Sequence, residues 1–338
     1  MTSIQKIPAV GLWMIFLTSL SASAAPGFLN LQKTYNLDSS SSVPESATFD
    51  LLSQSFFSSA FFGGQITRIP TSGSQAGNES VFFTDTSAPI AFFGVKVDLF
   101  HRVLYACGNN ISAFPTISAT IYEIKIGQVG SAGTLIRKVA LPGNALCNDL
   151  AVDLLGTAYV TDSYGSTIYK LPRGASTLTA LTTSPQFTPG SPGKVGLNGI
   201  DFTPDHSHLI VSKTDTQQFF SISLKTPTDI RLITATSGTI GNPADPNRFP
   251  GPDGIHFVLG KLYVASNGAV QQFTFQDSNY SKVAVKTDIH LPLGLSAVMS
   301  ANGTVYALKG DIFPVLDEGQ LPPSLPFQIL EAPLADFQ

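Results

Sequence analysis

The chain has 338 residues, and only 12% of them are charged: 19 Lys+Arg stand against 23 Asp+Glu, a net charge of −4. Apolar residues make up 43%, which excludes a chain disordered along most of its length. The scarcity of charged helix formers excludes a long helical bundle, and the absence of any basic cluster excludes nucleic acid as a partner. With 29 Gly, 23 Pro and 24 Phe among many Ser, Thr and β-branched residues, the composition points to an all-β protein rich in turns.

In chain order the first element is a targeting segment. Lys6 precedes the apolar run Ala9–Leu20 (AVGLWMIFLTSL), and Ala22-x-Ala24 fits signal peptidase. The run is about 12 residues, short of the roughly 20 needed to span a bilayer. We read residues 1–24 as a cleaved secretory signal; an uncleaved anchor is the alternative. Cleavage leaves 314 residues (338 − 24) and, with Lys6 lost, a charge of −5. The secreted chain is expected to be free of the membrane and to act as a monomer. Residues 25–44 form a Ser-rich segment in which Phe28–Leu31 is expected to add an outer strand to the last unit of the fold.

From residue 45 a strand–turn–strand–turn–strand plan recurs. Glu45–Asp50 leads to Ser55–Ser59 and Gln65–Ile69. Gly94–Asp98 leads to Arg102–Cys107 and Ala119–Ile124. Asn148–Asp153 leads to Ala158–Ser163 and Thr167–Leu171. Asn198–Phe202 leads to His208–Ser212 and Gln218–Leu224. Asp253–Phe257 leads to Lys261–Ser266 and Val270–Phe275. Leu293–Val298 leads to Thr304–Leu308 and Pro326–Leu330. The unit starts near 45, 93, 148, 198, 253 and 293 are spaced by 48, 55, 50, 55 and 40 residues. Six units of this size, none able to bury its own faces, predict a six-bladed β-propeller over residues 45–338. A pair of β-sandwiches does not explain one plan repeated six times.

In a propeller the first strand of each blade lines the central axis, and its opening residue is ordinarily small or apolar. Four units break that rule with Glu45, Asn148, Asn198 and Asp253. Two carboxylates and two carboxamides converging on one axis suit a hard divalent cation, Ca²⁺ above all, and with no Cys or His in the set soft metals are disfavoured. The competing reading is that Asn198-Gly199 and Asp253-Gly254 are turn dipeptides; Glu45-Ser46 and Asn148-Asp149 have no such excuse. Asp50, Asp98 and Asp153, five residues into their units, are read as turn residues.

The phrases Pro44-Glu45-Ser46, Gly94–Asp98, NDLAVDLLGTAYVTDS (148–163), GLNGI (196–200) and PDGI (252–255) resemble the SMP-30/gluconolactonase/LRE-like superfamily over roughly residues 43–332. They are similar in particular to its plant and fungal calcium-dependent phosphotriesterase-like branch. The resemblance implies that Glu45, Asn148, Asn198 and Asp253 hold a catalytic Ca²⁺ or other divalent ion, with Asp253 as nucleophile or as base for a water. It implies hydrolysis of small lactones, esters or phosphotriesters. The sequence departs from the family pattern at Asp149, where Gly is usual.

The second strands end on the same face, which makes Asn109, Asp162, Lys213, Asn267 and Lys309 candidate substrate-pocket residues. His256, three residues after Asp253, is read as a hydrogen-bonded strand histidine rather than a base; His101, His206, His208 and His290 are read as turn or surface residues. Cys107 and Cys147, the only cysteines, predict one disulfide in an oxidising compartment. Asn78, Asn110, Asn279 and Asn302 open N-x-S/T sequons and are candidate N-glycosylation sites. No G-x-S-x-G, H-E-x-x-H, P-loop or Cys-x-x-Cys motif occurs. Three functions stay open: a metal-dependent hydrolase, a cyclising or tailoring enzyme of specialised metabolism on the same scaffold, and a non-catalytic secreted binding protein.

Overall fold

A computed structural model describes residues 31–38, 43–241, 250–312, 326–333 and 337. The expected signal segment, residues 1–24, lies outside the described residues, and so do Phe28–Asn30. Among the described residues no helix is long and apolar enough to cross a membrane.

The strands fall into six antiparallel sheets of the expected six-bladed propeller. The strand that opens the chain, β1 (Thr34–Leu37), belongs to the last blade. Blade 1 is β2 (Ala47–Asp50), β3 (Ser55–Ser59), β4 (Gln65–Pro70) and β5 (Ser80–Thr84). Blade 2 is β6 (Ile90–Asp98), β7 (Val103–Ala113), β8 (Thr116–Lys125) and β9 (Thr134–Ala140). Blade 3 is β10 (Cys147–Val152), β11 (Ala158–Asp162), β12 (Thr167–Leu171) and β13 (Thr179–Thr183). Blade 4 is β14 (Leu197–Phe202), β15 (His208–Lys213), β16 (Gln218–Ser223) and β17 (Ile230–Leu232). A short strand, β18 (Thr234–Ser237), pairs in parallel on the outer edge of blade 5, which is β19 (Ile255–Val258), β20 (Lys261–Ser266), β21 (Ala269–Phe275) and β22 (Lys282–Asp288). Blade 6 is β23 (Leu295–Ala301), β24 (Thr304–Lys309) and β25 (Phe327–Glu331), completed by β1.

The ring closes through β1, which pairs antiparallel with β25 from Thr34↔Leu330 to Leu37↔Phe327. The closing strand thus lies at 34–37, not at the expected 28–31, and the propeller includes part of the segment set apart as residues 25–44. The alternation favours this register. Tyr35 and Leu37 are buried while Asn36 faces out, as a half-buried edge strand requires. Tyr35 meets Phe56 of blade 1 edge to face, with ring centroids 5.2 Å apart, so the last blade is packed onto the first.

The abundant Phe residues fill the spaces between blades. Phe57, Phe82, Phe92 and Tyr122 form a buried cluster between blades 1 and 2, with Phe57–Phe82 at 4.6 Å and Phe92–Tyr122 at 4.9 Å. Phe219 and Phe273 do the same between blades 4 and 5 at 4.9 Å. Each such ring contributes about 3–5 kcal/mol against truncation to Ala. The disulfide joins Cys107 of β7 to Cys147 at the head of β10, with Cα atoms 5.2 Å apart, and ties blade 2 to blade 3. The three turn aspartates behave as read. Buried Asp50 holds Arg102 through two hydrogen bonds of 2.6 and 2.8 Å, Asp98 pairs with His101, and Asp153 accepts two turn N–H groups.

Candidate functional site

The inner strands share a local irregularity that aims their opening residues. In β6, β10, β14 and β23 the pairing with the second strand slips by a β-bulge, between Phe92 and Val95, Cys147 and Leu150, Leu197 and Ile200, and Leu295 and Ala297. A bulge takes residues out of the ladder and redirects their side chains. In blades 3 and 4 the displaced residues are Asn148-Asp149 and Asn198-Gly199. Neighbouring inner strands approach closely here. A Cβ on Gly199 would lie 2.6 Å from the carbonyl of Asp253, and one on Gly94 would lie 2.6 Å from the Cα of Asp149. Glycine is required at both positions for the inner strands to close in on the axis.

All four predicted donors are buried, with 4–7% of their surface exposed. Three of their oxygens, Glu45 Oε2, Asn148 Oδ1 and Asn198 Oδ1, are buried without a hydrogen-bond partner. Asn198 Nδ2 donates to Thr214 Oγ1 at 3.0 Å, and that hydroxyl donates to the carbonyl of Pro252 at 2.7 Å, so the amide is held with its oxygen free. Asn198 also hydrogen-bonds Asp253. An unpaired buried acceptor ordinarily costs 1–3 kcal/mol; three, each on the opening residue of a different blade, are a marked deficit of donors.

The charges tell the same story. Burial pushes the Glu45 carboxyl well above the usual range, and the charges of Asp253 and Asp149 push it further. Burial raises Asp253 to about 8, with Asp149 adding to the shift and the Asn198 hydrogen bond opposing it. Asp149 is raised to about 6 by burial against the pull of Lys96. The sequence reading treated Asp149 only as a departure from Gly. It is a third carboxyl beside the axis, its oxygens accepting the N–H groups of Leu150 at 2.8 Å and Ile200 at 3.3 Å. Among the described residues no three His, Cys, Asp or Glu side chains gather in a metal-binding group; half of the predicted donors are carboxamides.

The expected pocket residues all have partners within the protein: Asn109 and Asn267 reach the next blade, and Asp162, Lys213 and Lys309 bind locally. Asn109 is fully buried and bridges to blade 3, its Nδ2 donating to the Cys147 carbonyl at 2.8 Å and its Oδ1 accepting the Cys147 N–H at 3.1 Å. Asp162 accepts three backbone N–H groups, from Leu146, Tyr164 and Gly165, each at 3.1 Å. Asn267 Oδ1 accepts the Gly294 N–H of blade 6 at 2.9 Å. Lys213 and Lys309 pair with Asp215 and Asp311. For Asn109 and Asn267 the physical reason is that a strand end beside the next blade faces backbone groups that the ladder leaves unpaired, and a polar side chain satisfies them; Asp162 does the same for the ends of its own blade. Of the sequon residues, Asn78, Asn279 and Asn302 are exposed and Asn110 is half-buried.

No protein-family model matches the chain, and no curated protein matches it by sequence. Solved structures resemble it in fold. A gluconolactonase from Xanthomonas campestris is 16% identical with a TM-score of 0.57, covering 89% of each chain. A luciferin-regenerating enzyme is 10% identical with a TM-score of 0.57, over 90% of this chain and 96% of that one. The PQQ-bound aldose sugar dehydrogenase of Streptomyces coelicolor is 12% identical with a TM-score of 0.53, over 88% and 96%. At these identities the likeness establishes the propeller fold. That fold carries different chemistries in the three, so function rests on the site.

Proposed function

We propose that Glu45, Asn148, Asn198 and Asp253 hold one divalent cation, Ca²⁺ by the hardness of their oxygens, and that the chain is a secreted hydrolase of small lactones, esters or phosphotriesters. We place it in the calcium-dependent phosphotriesterase-like branch of the SMP-30/gluconolactonase-like proteins. The observation that carries this reading is the set of three buried oxygens, from three different blades, that no donor in the protein satisfies. A cation answers all three at once and reverses the upward pull on the two carboxyls. When bound with an open position, it supplies Lewis-acid polarisation of a carbonyl or phosphoryl oxygen.

The chain's own residues do the rest. Thr214 and Asp253 occupy the Asn198 NH₂, which leaves the amide oxygen free for a cation. Asp253 is the carboxylate placed to take a proton from an attacking water or to attack the substrate itself. Asp149 adds negative charge beneath the donors, which strengthens the hold on a cation.

The test is metal analysis of the purified secreted protein, coupled to turnover of lactones, aryl esters and phosphotriesters with and without EGTA. One equivalent of Ca²⁺ and EGTA-sensitive turnover are expected. A chain without bound metal, whose melting temperature ignores Ca²⁺, overturns the site. Metal retained without turnover on the whole panel overturns the hydrolase and leaves the binding-protein reading.

A further inference from the structure

The channel has a second polar centre beyond the four donors. A cavity of about 400 Å³ reaches inward from the opposite face of the propeller and ends near Ser46, Asp149 and Gly254. Its mouth lies at the turns joining first to second strands, since Leu51 and the Asn302-Gly303 turn line it. On its wall His256 stands between Asp201 and Ser300, with Lys96 Nζ at the longer distance of 3.5 Å from its Nδ1. Its Nδ1 is 2.8 Å from Asp201 Oδ2, and its Nε2 is 3.1 Å from Ser300 Oγ.

The order of these contacts has a chemical meaning. Asp201 also accepts the Phe257 N–H at 2.9 Å, the Phe202 N–H at 3.0 Å and Lys96 Nζ at 3.4 Å. Lys96 and then His256 hold its carboxyl ionised far below the usual range, against the effect of burial. A carboxylate can only accept, so His256 Nδ1 carries the proton toward it. Nε2 is then left as an acceptor for the Ser300 hydroxyl. Nucleophile, base and orienting carboxylate stand in the relation that makes a serine reactive, and such a set is recognised by geometry, not by sequence order.

We propose that Ser300, His256 and Asp201 form a second, metal-independent site that hydrolyses uncharged esters with an apolar acyl group. The Ser300 Oγ attacks the carbonyl carbon as its proton passes to His256 Nε2, and the carbonyl electron pair moves onto oxygen. Collapse breaks the bond to the alkoxy oxygen, which takes the proton from Nε2 and departs as the alcohol. Water then attacks the acyl carbon, giving its proton to Nε2. The acid leaves, and Ser300 recovers its hydrogen. Lys96, the one Lys or Arg among the cavity-lining residues, stands on the Asp201 side of the imidazole, where it keeps the orienting carboxylate ionised.

The acyl preference comes from one stretch of the wall. Phe49, Leu51, Val97 and Met299 line the cavity. These four side chains give an acyl chain an apolar stretch of wall beside the polar groups of Ser300 and His256.

The experiment uses the full secreted chain, held in EGTA throughout, with an alkyl fluorophosphonate as probe. Its P–F bond breaks as the Ser300 oxygen–phosphorus bond forms, releasing fluoride. Peptide mapping is expected to find the adduct on Ser300, and Ser300→Ala should remove it. His256→Ala should slow labelling by on the order of 100-fold or more, and added imidazole should restore part of the rate. An octanoyl p-nitrophenyl ester should be turned over by wild type and not by Ser300→Ala, with the melting temperature of both measured alongside. An adduct absent from Ser300, or formed there equally fast in a folded His256→Ala protein, overturns the proposal. Because EGTA is present in every arm, these outcomes are independent of the cation site.

Discussion

The two halves of the channel are built from the same inner strands, a few residues apart, and they balance charge in opposite ways. At one end Glu45, Asn148, Asn198 and Asp253 gather acceptors and almost no donors, and their carboxyls are driven toward the protonated form. Three residues further along β14 and on into β19, Asp201 and His256 meet Lys96 and Ser300, and every charge has a counter-charge or a donor. The acceptor-rich end is the more deeply buried, and it is the one short of donors. A polar channel is therefore complete in itself only where cation and anion residues alternate around it. Where only acceptors face the axis, the proposed cation would supply the missing charge.

The sharpest way to break this comparison is Asp253→Ala. Loss of hydrolysis by about three orders of magnitude is expected, about 4 kcal/mol of transition-state stabilisation, together with loss of the Ca²⁺-induced rise in melting temperature. Full activity in this variant, assayed on whichever lactone or ester the wild type turns over, sinks the reading of the acceptor-rich end. The matched pair Asp253→Asn and Asp201→Asn separates the two ends by stability alone. In EGTA, Asp253→Asn should raise the melting temperature, because it removes a carboxyl that burial penalises. Asp201→Asn should lower it, with a loss of about 3 kcal/mol of stability, because it strands Lys96 beside a half-buried histidine. Equal effects in thermal denaturation would erase the distinction.

Saturating Ca²⁺ should stabilise the wild type by about 2.7 kcal/mol at a hundred times Kd, read by differential scanning fluorimetry. The sign of the pH effect follows from Asp253, raised in the folded state to about 8 from an ordinary carboxylate value. The folded chain then binds more protons than the unfolded chain between roughly pH 4 and 8, so without metal the stability conferred by this group falls as pH rises through that window. Ca²⁺ competes with those protons, and its stabilisation should grow over the same window. A Ca²⁺ shift that shrinks toward pH 8 contradicts this.

The smallest expected effect concerns the ring of ties around the site. Asn109→Ala should cost about 1–3 kcal/mol in urea denaturation, through the two Cys147 backbone groups it leaves unpaired. Ca²⁺ affinity and turnover should not change. A selective rise in KM would return Asn109 to the substrate pocket.

Much of this was legible in the residues. The period near fifty, strand alternation and turn glycines were enough for six blades, because a blade cannot bury its own faces and must repeat. The opening residues Glu45, Asn148, Asn198 and Asp253 stood out because they break a local rule at one repeated place. The disulfide followed from the count of cysteines and the order of the blades. What sequence could not supply were facts about partners across the ring. Whether Asn109 faces a substrate or the Cys147 backbone depends on where a bulge in the next blade leaves its N–H and C=O. The role of Asp149 depends on which charges surround it. Ser300, His256 and Asp201 carry no motif and come from three blades, in an order set by ring closure. Periodicity is a property of neighbours along the chain and survives in the sequence. Which polar group finds a donor is decided between strands up to a hundred residues apart, and it exists only once the ring has closed.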